Sequence, residues 1–139
     1  MIAYVDSSVV LRRILGQPRG LREWTSIDTP VASAIIEVEC LRTLDRVRLL
    51  QAAADHDLAL RRETLFAALQ RFDLVAVERL VLSRAALPLP TALGTLDAIH
   101  LATAMLWRES RSQNLVMATH DAALATAARA FGFTVIGIG

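Results

Sequence analysis

Apolar and polar positions along this chain follow two rhythms. Short, largely apolar runs stand at Ile2–Val5, Pro30–Ser33, Asp73–Val77, Asn114–Thr119 and Phe133–Ile136, and each reads as a short buried strand. Between them apolar residues recur at helical spacing. Asp6, Ser7 and Ser8 supply capping chemistry, and Val9, Val10, Ile14 and Leu15 continue into a helix that Gly16 and Pro18 stop. A short helix is expected over Leu21–Thr25. Ile35, Val38, Leu41, Leu44, Val47 and Leu49 mark a helix from Ala34 to Leu50, and Leu58, Leu65, Leu69 and Phe72 mark one over Asp57–Phe72. Glu78–Leu87 is helical until Pro88 and Pro90 break it. Leu96, Ile99, Ala102 and Leu106 are in register over Leu96–Glu109, with Thr95 as the expected cap, and Ala122–Phe131 is the last helix. Strands alternate with helices, which predicts a mostly parallel sheet covered on both faces.

Length and composition narrow the class. The 139 residues suit one domain, and 54% hydrophobic against 21% charged residues excludes a disordered chain. No apolar run approaches the roughly 18 residues of a membrane-spanning helix. The opening MIAYVDSSVVLRRIL has Asp6 inside its apolar run and no basic leader, so neither a secretory signal nor a membrane anchor is expected. Cys40 stands alone, which excludes an internal disulfide framework and a cysteine-rich zinc site, and a cytoplasmic location is the expectation. All 15 basic residues are arginine. Without a lysine there is no P-loop, no Schiff-base chemistry and no receiver-domain lysine.

The acids are placed unevenly. Asp6 directly follows the first strand, and Asp121 comes two residues after the fourth. Ligands of parallel α/β sheets bind beyond the carboxyl ends of the strands, so both acids fall at that edge. Glu39 lies in the second turn of the helix after strand two, and Asp97 lies in the first turn of its helix. Singly, each acid has a plain structural reading. Asp6 and Asp121 suit helix caps, Asp97 suits a helix dipole, and Glu39 suits a pair with Arg42 at i,i+3. Together, several carboxylates in one pocket must protonate or bind a cation. Oxygen-only donors select Mg²⁺ or Mn²⁺ over zinc. Such a site suits phosphodiester cleavage, with a metal-activated water as nucleophile.

Four stretches carry a family resemblance: YVDSSVVL, SAIIEVECLRTL, LGTLDAIHLATA and MATHDAALATAARAFGFTVIG. In this order, over essentially the whole chain, they resemble the PIN-domain nucleases, most closely the VapC-type toxins of bacterial toxin–antitoxin modules. The resemblance implies a three-layer α/β fold with a five-stranded, mostly parallel sheet flanked by helices. It implies that Asp6, Glu39, Asp97 and Asp121 form a catalytic, metal-holding quartet. Glu39 is preferred to Glu37 because Cys40-Leu41-Arg42 follows it, and the two glutamates lie about 200° apart around a helix. Ser8 and Thr119 match the family's hydroxyls, with an implied role in orienting carboxylates or water. The implied activity is Mg²⁺- or Mn²⁺-dependent endoribonuclease cleavage of cellular RNA. The implied partners are a cognate VapB-type antitoxin and a second copy of the chain in a homodimer. Two alternatives stand beside it: a PIN nuclease of RNA processing, and a catalytically silent PIN-like binding module.

Outside the quartet ten acids face fifteen arginines, a surplus of about five positive charges that suits a polyanion. Arg12, Arg13, Arg42 and Arg46 are the candidate contacts to RNA or antitoxin, against the plain reading of solvated helix faces. His100, one turn after Asp97, reads either as a buried hydrogen-bonded residue or as a visitor to the pocket. His120 is not expected to be a ligand. Cys40, Trp24 and Trp107 read as packing residues, and at 5% aromatics the chain is not a base-stacking RNA binder.

Overall fold

The computed structural model describes residues 1–139. Five strands form one parallel sheet: β1 (Ile2–Val5), β2 (Thr29–Ser33), β3 (Asp73–Val75), β4 (Val116–Ala118) and β5 (Val135–Ile136), in the order β3-β2-β1-β4-β5. Six α-helices connect or flank them: α1 (Ser7–Ile14), α2 (Ile35–Gln51), α3 (Asp55–Leu69), α4 (Arg79–Ala85), α5 (Thr95–Arg111) and α6 (Ala122–Ala130). The segment expected as a helix over Leu21–Thr25 is a 3-10 turn, Arg22–Ser26. No helix is long and apolar enough to cross a membrane.

Alternate side chains of each strand feed the two faces of the sheet. Ala3, Val5, Ala32 and Ala118 pack with Val9, Val10 and Ile14 of α1, Ile36, Cys40 and Leu44 of α2, and Leu65 and Leu69 of α3. Tyr4, Val31 and Met117 face the other way, onto Leu101, Ala104, Met105 and Trp107 of α5 and Leu124, Ala127 and Ala128 of α6. The sheet is therefore the middle of three layers. α4 packs on the flank of α5 through Val81 against Ile99 and Ala102. α5 is buried on most of its circumference, from Ala98 to Met105 and again at Trp107.

Three sequence expectations are corrected here. The stripe on α2 that meets the core is Ile36, Cys40 and Leu44, while Val38 and Leu49 are 61% and 66% exposed. Apolar residues occupy so many positions of this helix that two stripes satisfy helical spacing, and contact with α1 and the sheet selects one. Thr95 is the first residue of α5, and Gly94 is its cap residue, with no side-chain cap. The strands are also shorter than the apolar runs, because Asn114 and Leu115 precede the ladder of β4 and Ala76 and Val77 follow that of β3.

Candidate active site at the switch of the sheet

The strand order reverses at β1. The chain runs outward through β2 and β3, then returns to β4 on the other side of β1. The helices that follow these two neighbours lie on opposite faces, α1 on one and α6 on the other. In parallel α/β sheets, helices that diverge in this way leave a crevice beyond the carboxyl ends of the two strands, here β1 and β4. Val5 pairs with Ala118 in register, so the next residues, Asp6 and Thr119, emerge side by side. The backbone N–H of Asp6 donates to the Ala118 carbonyl at 3.0 Å and holds that register to the last residue.

Asp6 is 3% exposed, and two hydroxyls orient it. Its Oδ2 accepts from Ser8 Oγ at 2.6 Å and from Thr119 Oγ1 at 2.9 Å. Each hydroxyl oxygen in turn accepts a backbone N–H, Ser8 from His120 at 3.0 Å and Thr119 from Asp121 at 2.9 Å. With that acceptor side taken, each hydroxyl proton is directed to Asp6. Asp6 precedes α1 but makes no side-chain cap, which removes its plain structural reading.

The other three acids converge on the same edge. Asp121 caps α6 through Oδ1, which accepts from the Leu124 N–H at 2.9 Å. Its capping reading is thus real for one oxygen and leaves the other uncommitted to the helix. Asp97, in the first turn of α5, has its pKa pushed up to about 6, by burial first and then by the charges of Asp121 and Asp6, with a smaller push from Glu39. The charges of the other three acids, carried by α2 and the ends of β1 and β4, therefore all reach Asp97 on α5. Glu39 is half-buried and Glu37 is exposed, as their opposite bearings on α2 require. Glu39 Oε1 meets His100 Nε2 at 2.5 Å, and Ser7 Oγ lies 3.4 Å from Glu39 Oε2 and 3.5 Å from Asp6 Oδ1.

No guanidinium neutralises this cluster. Arg42 pairs with Asp45 at 3.1 Å rather than with Glu39, and Arg48 joins the same aspartate at 2.9 Å. Arg12 donates to the Arg19 carbonyl at 3.2 Å, Arg13 lies over the Trp24 ring at 4.9 Å, and Arg46 is exposed. None of these arginines is ion-paired with a quartet acid. The basic side chain nearest the acids is His100, whose Nε2 is also 3.8 Å from Asp6 Oδ1. Burial pushes the His100 pKa down, but the hydrogen bond to Glu39 and the charges of Glu39, Asp6 and Asp97 outweigh it and leave the pKa raised. His120 turns away from the acids and donates from Nδ1 to the Gly137 carbonyl at 2.7 Å. Burial, with help from Glu39 and Asp6, lifts the Cys40 thiol to about 12 and makes it inert.

His100 is the neighbour whose partners sequence spacing left open. It touches Tyr4, 96 positions away, and Glu39, 61 positions away. Only the i,i+3 spacing to Asp97 hinted at its place.

The donor set suits a hard divalent cation. It consists of carboxylate oxygens that repel one another, and the protein supplies no arginine to balance them. No three His, Cys, Asp or Glu side chains are already arranged as a metal cage. That is compatible with Mg²⁺ or Mn²⁺ chemistry. Mg²⁺ keeps several waters and takes only one or two protein carboxylates, with the remaining acids reached through water.

Carboxylates gathered without arginine at the switch of a small parallel sheet define a nuclease-like α/β class, and sequence comparison gives that class its name. The PIN domain profile matches residues 3–130, nearly the whole chain, and the chain belongs to the PIN-domain family. Within the family it stands on the VapC branch. It is 34% identical over 136 residues to Ribonuclease VapC46 of Mycobacterium tuberculosis (strain ATCC 25618 / H37Rv), covering 96% of this chain and 95% of that protein.

Proposed function

We propose that this protein is a single-domain, divalent-metal-dependent endoribonuclease, the toxin of a VapC–VapB pair that cleaves cellular RNA in the cytoplasm. The observation that carries the reading is the acid cluster at the sheet switch, which no guanidinium balances and in which burial, followed by the charges of Asp121 and Asp6, raises Asp97 to about 6. The similarity to a protein named a ribonuclease supports the choice of RNA.

Asp6, Asp97, Asp121 and Glu39 are the residues that would hold Mg²⁺ or Mn²⁺. When bound, the cation acidifies a water and neutralises charge at the scissile phosphate. Ser8 and Thr119 hold Asp6 in one rotamer, so its outward oxygen is presented without a search. Asp121 spends one oxygen on α6 and keeps the other for the crevice. Attack by water fits the side chains on hand. The Cys40 thiol is buried and inert, and the Ser8 and Thr119 protons are given to Asp6. Arg12 and Arg13 on α1 and Arg42 and Arg46 on α2 are the proposed contacts to RNA phosphate or to a VapB-type antitoxin. Of the four, Arg42 is already tied to Asp45. A homodimer completes the proposed assembly.

The test is cleavage of a structured RNA by the wild type with Mn²⁺, with EDTA, and by Asp6→Asn with Mn²⁺. Cleavage in the first arm and none in the other two is expected. Persistent cleavage in EDTA rejects the metal-dependent reading.

A further inference from the structure

We infer that a buried relay from the Ser33 backbone through Tyr4 and His100 aims Glu39 at the cation site, which makes His100 and Tyr4 positioning residues. This rests on the reading of Glu39 as one of the acids that hold a divalent cation. The relay begins at the last residue of β2. The Ser33 N–H donates to Tyr4 Oη at 3.0 Å, and Tyr4 Oη meets His100 Nδ1 at 2.6 Å. Because the hydroxyl oxygen already accepts from Ser33, its proton is directed to Nδ1. That leaves the hydrogen of the neutral ring on Nε2, facing Glu39 Oε1. Ser33, Tyr4 and His100 are all 0% exposed, so bulk water does not reach the links up to the imidazole.

The connections explain why this is more than a satisfied core histidine. Tyr4 alone would satisfy one ring nitrogen. The second nitrogen is spent on a half-buried acid of the site, across the edge of the sheet from α5 to α2. Glu39 is thereby fixed with Oε1 held and Oε2 on the side of Ser7, the same hydroxyl that lies 3.5 Å from Asp6 Oδ1. Groups that hold a metal-ligating carboxylate in place typically contribute 10–100-fold to metal affinity or activity. Without the relay, Glu39 is free to swing toward solvent, as Glu37 already does two residues earlier.

The experiment measures Mn²⁺ affinity by electron paramagnetic resonance of the free ion, alongside melting temperature, for wild type, Glu39→Gln, His100→Gln, His100→Asn and Tyr4→Phe. A glutamine amide reaches the place of Nε2 and keeps a donor to Glu39, whereas an asparagine amide reaches only the place of Nδ1. His100→Gln is expected to stay within about threefold of wild type. His100→Asn is expected to weaken Mn²⁺ about 10–100-fold, toward the level of Glu39→Gln, with Tyr4→Phe between them. Melting temperature does not separate the glutamine and asparagine variants on this account. Equal Mn²⁺ affinity in those two, or wild-type affinity in both His100→Asn and Tyr4→Phe while Glu39→Gln is weakened, overturns the relay and leaves the nuclease reading intact. Wild-type protein that binds no Mn²⁺, or Glu39→Gln that binds it unchanged, removes the reading and the relay together.

Discussion

Two groups of acids in this protein live by opposite rules. On the outer face of α2 and between α4 and α5, acids are neutralised in place. Asp45 takes Arg42 and Arg48, and Glu109 takes Arg84 through both oxygens at 2.8 and 3.0 Å. Hydrogen bonds from those arginines hold both acids below the usual carboxylate range. At the sheet switch four acids converge with no arginine, and Asp97 moves the other way, to about 6. A chain with fifteen arginines does not lack partners for its acids. The fold supplies them on the surface and withholds them at the crevice. Surface pairs of this kind contribute little to stability, while the crevice carries an electrostatic cost that a cation relieves.

The sharpest way to break this contrast is to neutralise one acid in each group. Asp6→Asn is expected to lower RNA cleavage by about 100-fold or more, since even groups one step removed from a metal cost 10–100-fold. Asp45→Asn is expected to leave cleavage within about twofold. Single-turnover rates on one RNA check both, and equal losses would erase the distinction between the groups.

A smaller effect comes from the hydroxyls. Ser8→Ala or Thr119→Ala frees Asp6 Oδ2 from one donor and is expected to cost about 10-fold or more in cleavage, read at saturating Mn²⁺. No loss in either variant would show that Asp6 needs no orientation.

The pH dependence of stability sharpens the comparison further. A carboxyl whose pKa rises on folding binds its proton more tightly when folded, so the stability it contributes is complete near its ordinary 3.8 and is lost as pH rises through about 6. His100 is raised too, so its contribution is complete below its ordinary 6.5 and is lost above that value. In EDTA the protein is therefore expected to lose stability from about pH 4 through about 6 as Asp97 ionises, and further above 6.5 as His100 loses its proton. Asp97→Asn removes the lower part of that slope, by about 1–2 kcal/mol after allowing for solvent screening. Urea unfolding at a series of pH values reads the slope, and millimolar Mn²⁺ is expected to flatten it in wild type but not in Asp97→Asn. Identical slopes in the two proteins without metal contradict the shared charge.

The smallest effect belongs to the surface. Arg84→Ala is expected to cost no more than about 1 kcal/mol in urea and to leave cleavage unchanged, because the pair is exposed and remote from the crevice. A larger loss would mean that this pair holds α4 on α5 by more than a screened contact.

Much of this arrangement was legible before folding. The alternation of apolar runs and helical spacing pointed to five strands in a mostly parallel sheet, and acids at or just past strand ends marked the edge where a ligand site was expected. Asp6 and Asp121 could be located this way because a strand end has only one neighbourhood. The face of α2 could not, since Val38 and Leu49 keep helical spacing as well as Ile36 and Cys40 do, and only packing against α1 chooses. The His100 contacts were illegible for a different reason. Tyr4 and Glu39 reach it from β1 and α2, Ser33 of β2 holds Tyr4 in turn, and no local spacing records a meeting of four elements. The pairing of Arg42 shows the same limit on a small scale. Glu39 and Asp45 both stand three residues from it, and burial of Glu39 beside His100 decides for Asp45.

Anomalous diffraction from crystals of the wild-type protein soaked in Mn²⁺ tests the shared acid site most directly. The expected map has its strongest manganese peak in the crevice beyond β1 and β4, bound directly by Asp6 or Asp97 and surrounded by water. A crevice without manganese in crystals that hold the ion elsewhere, as at Asp45, would contradict the account.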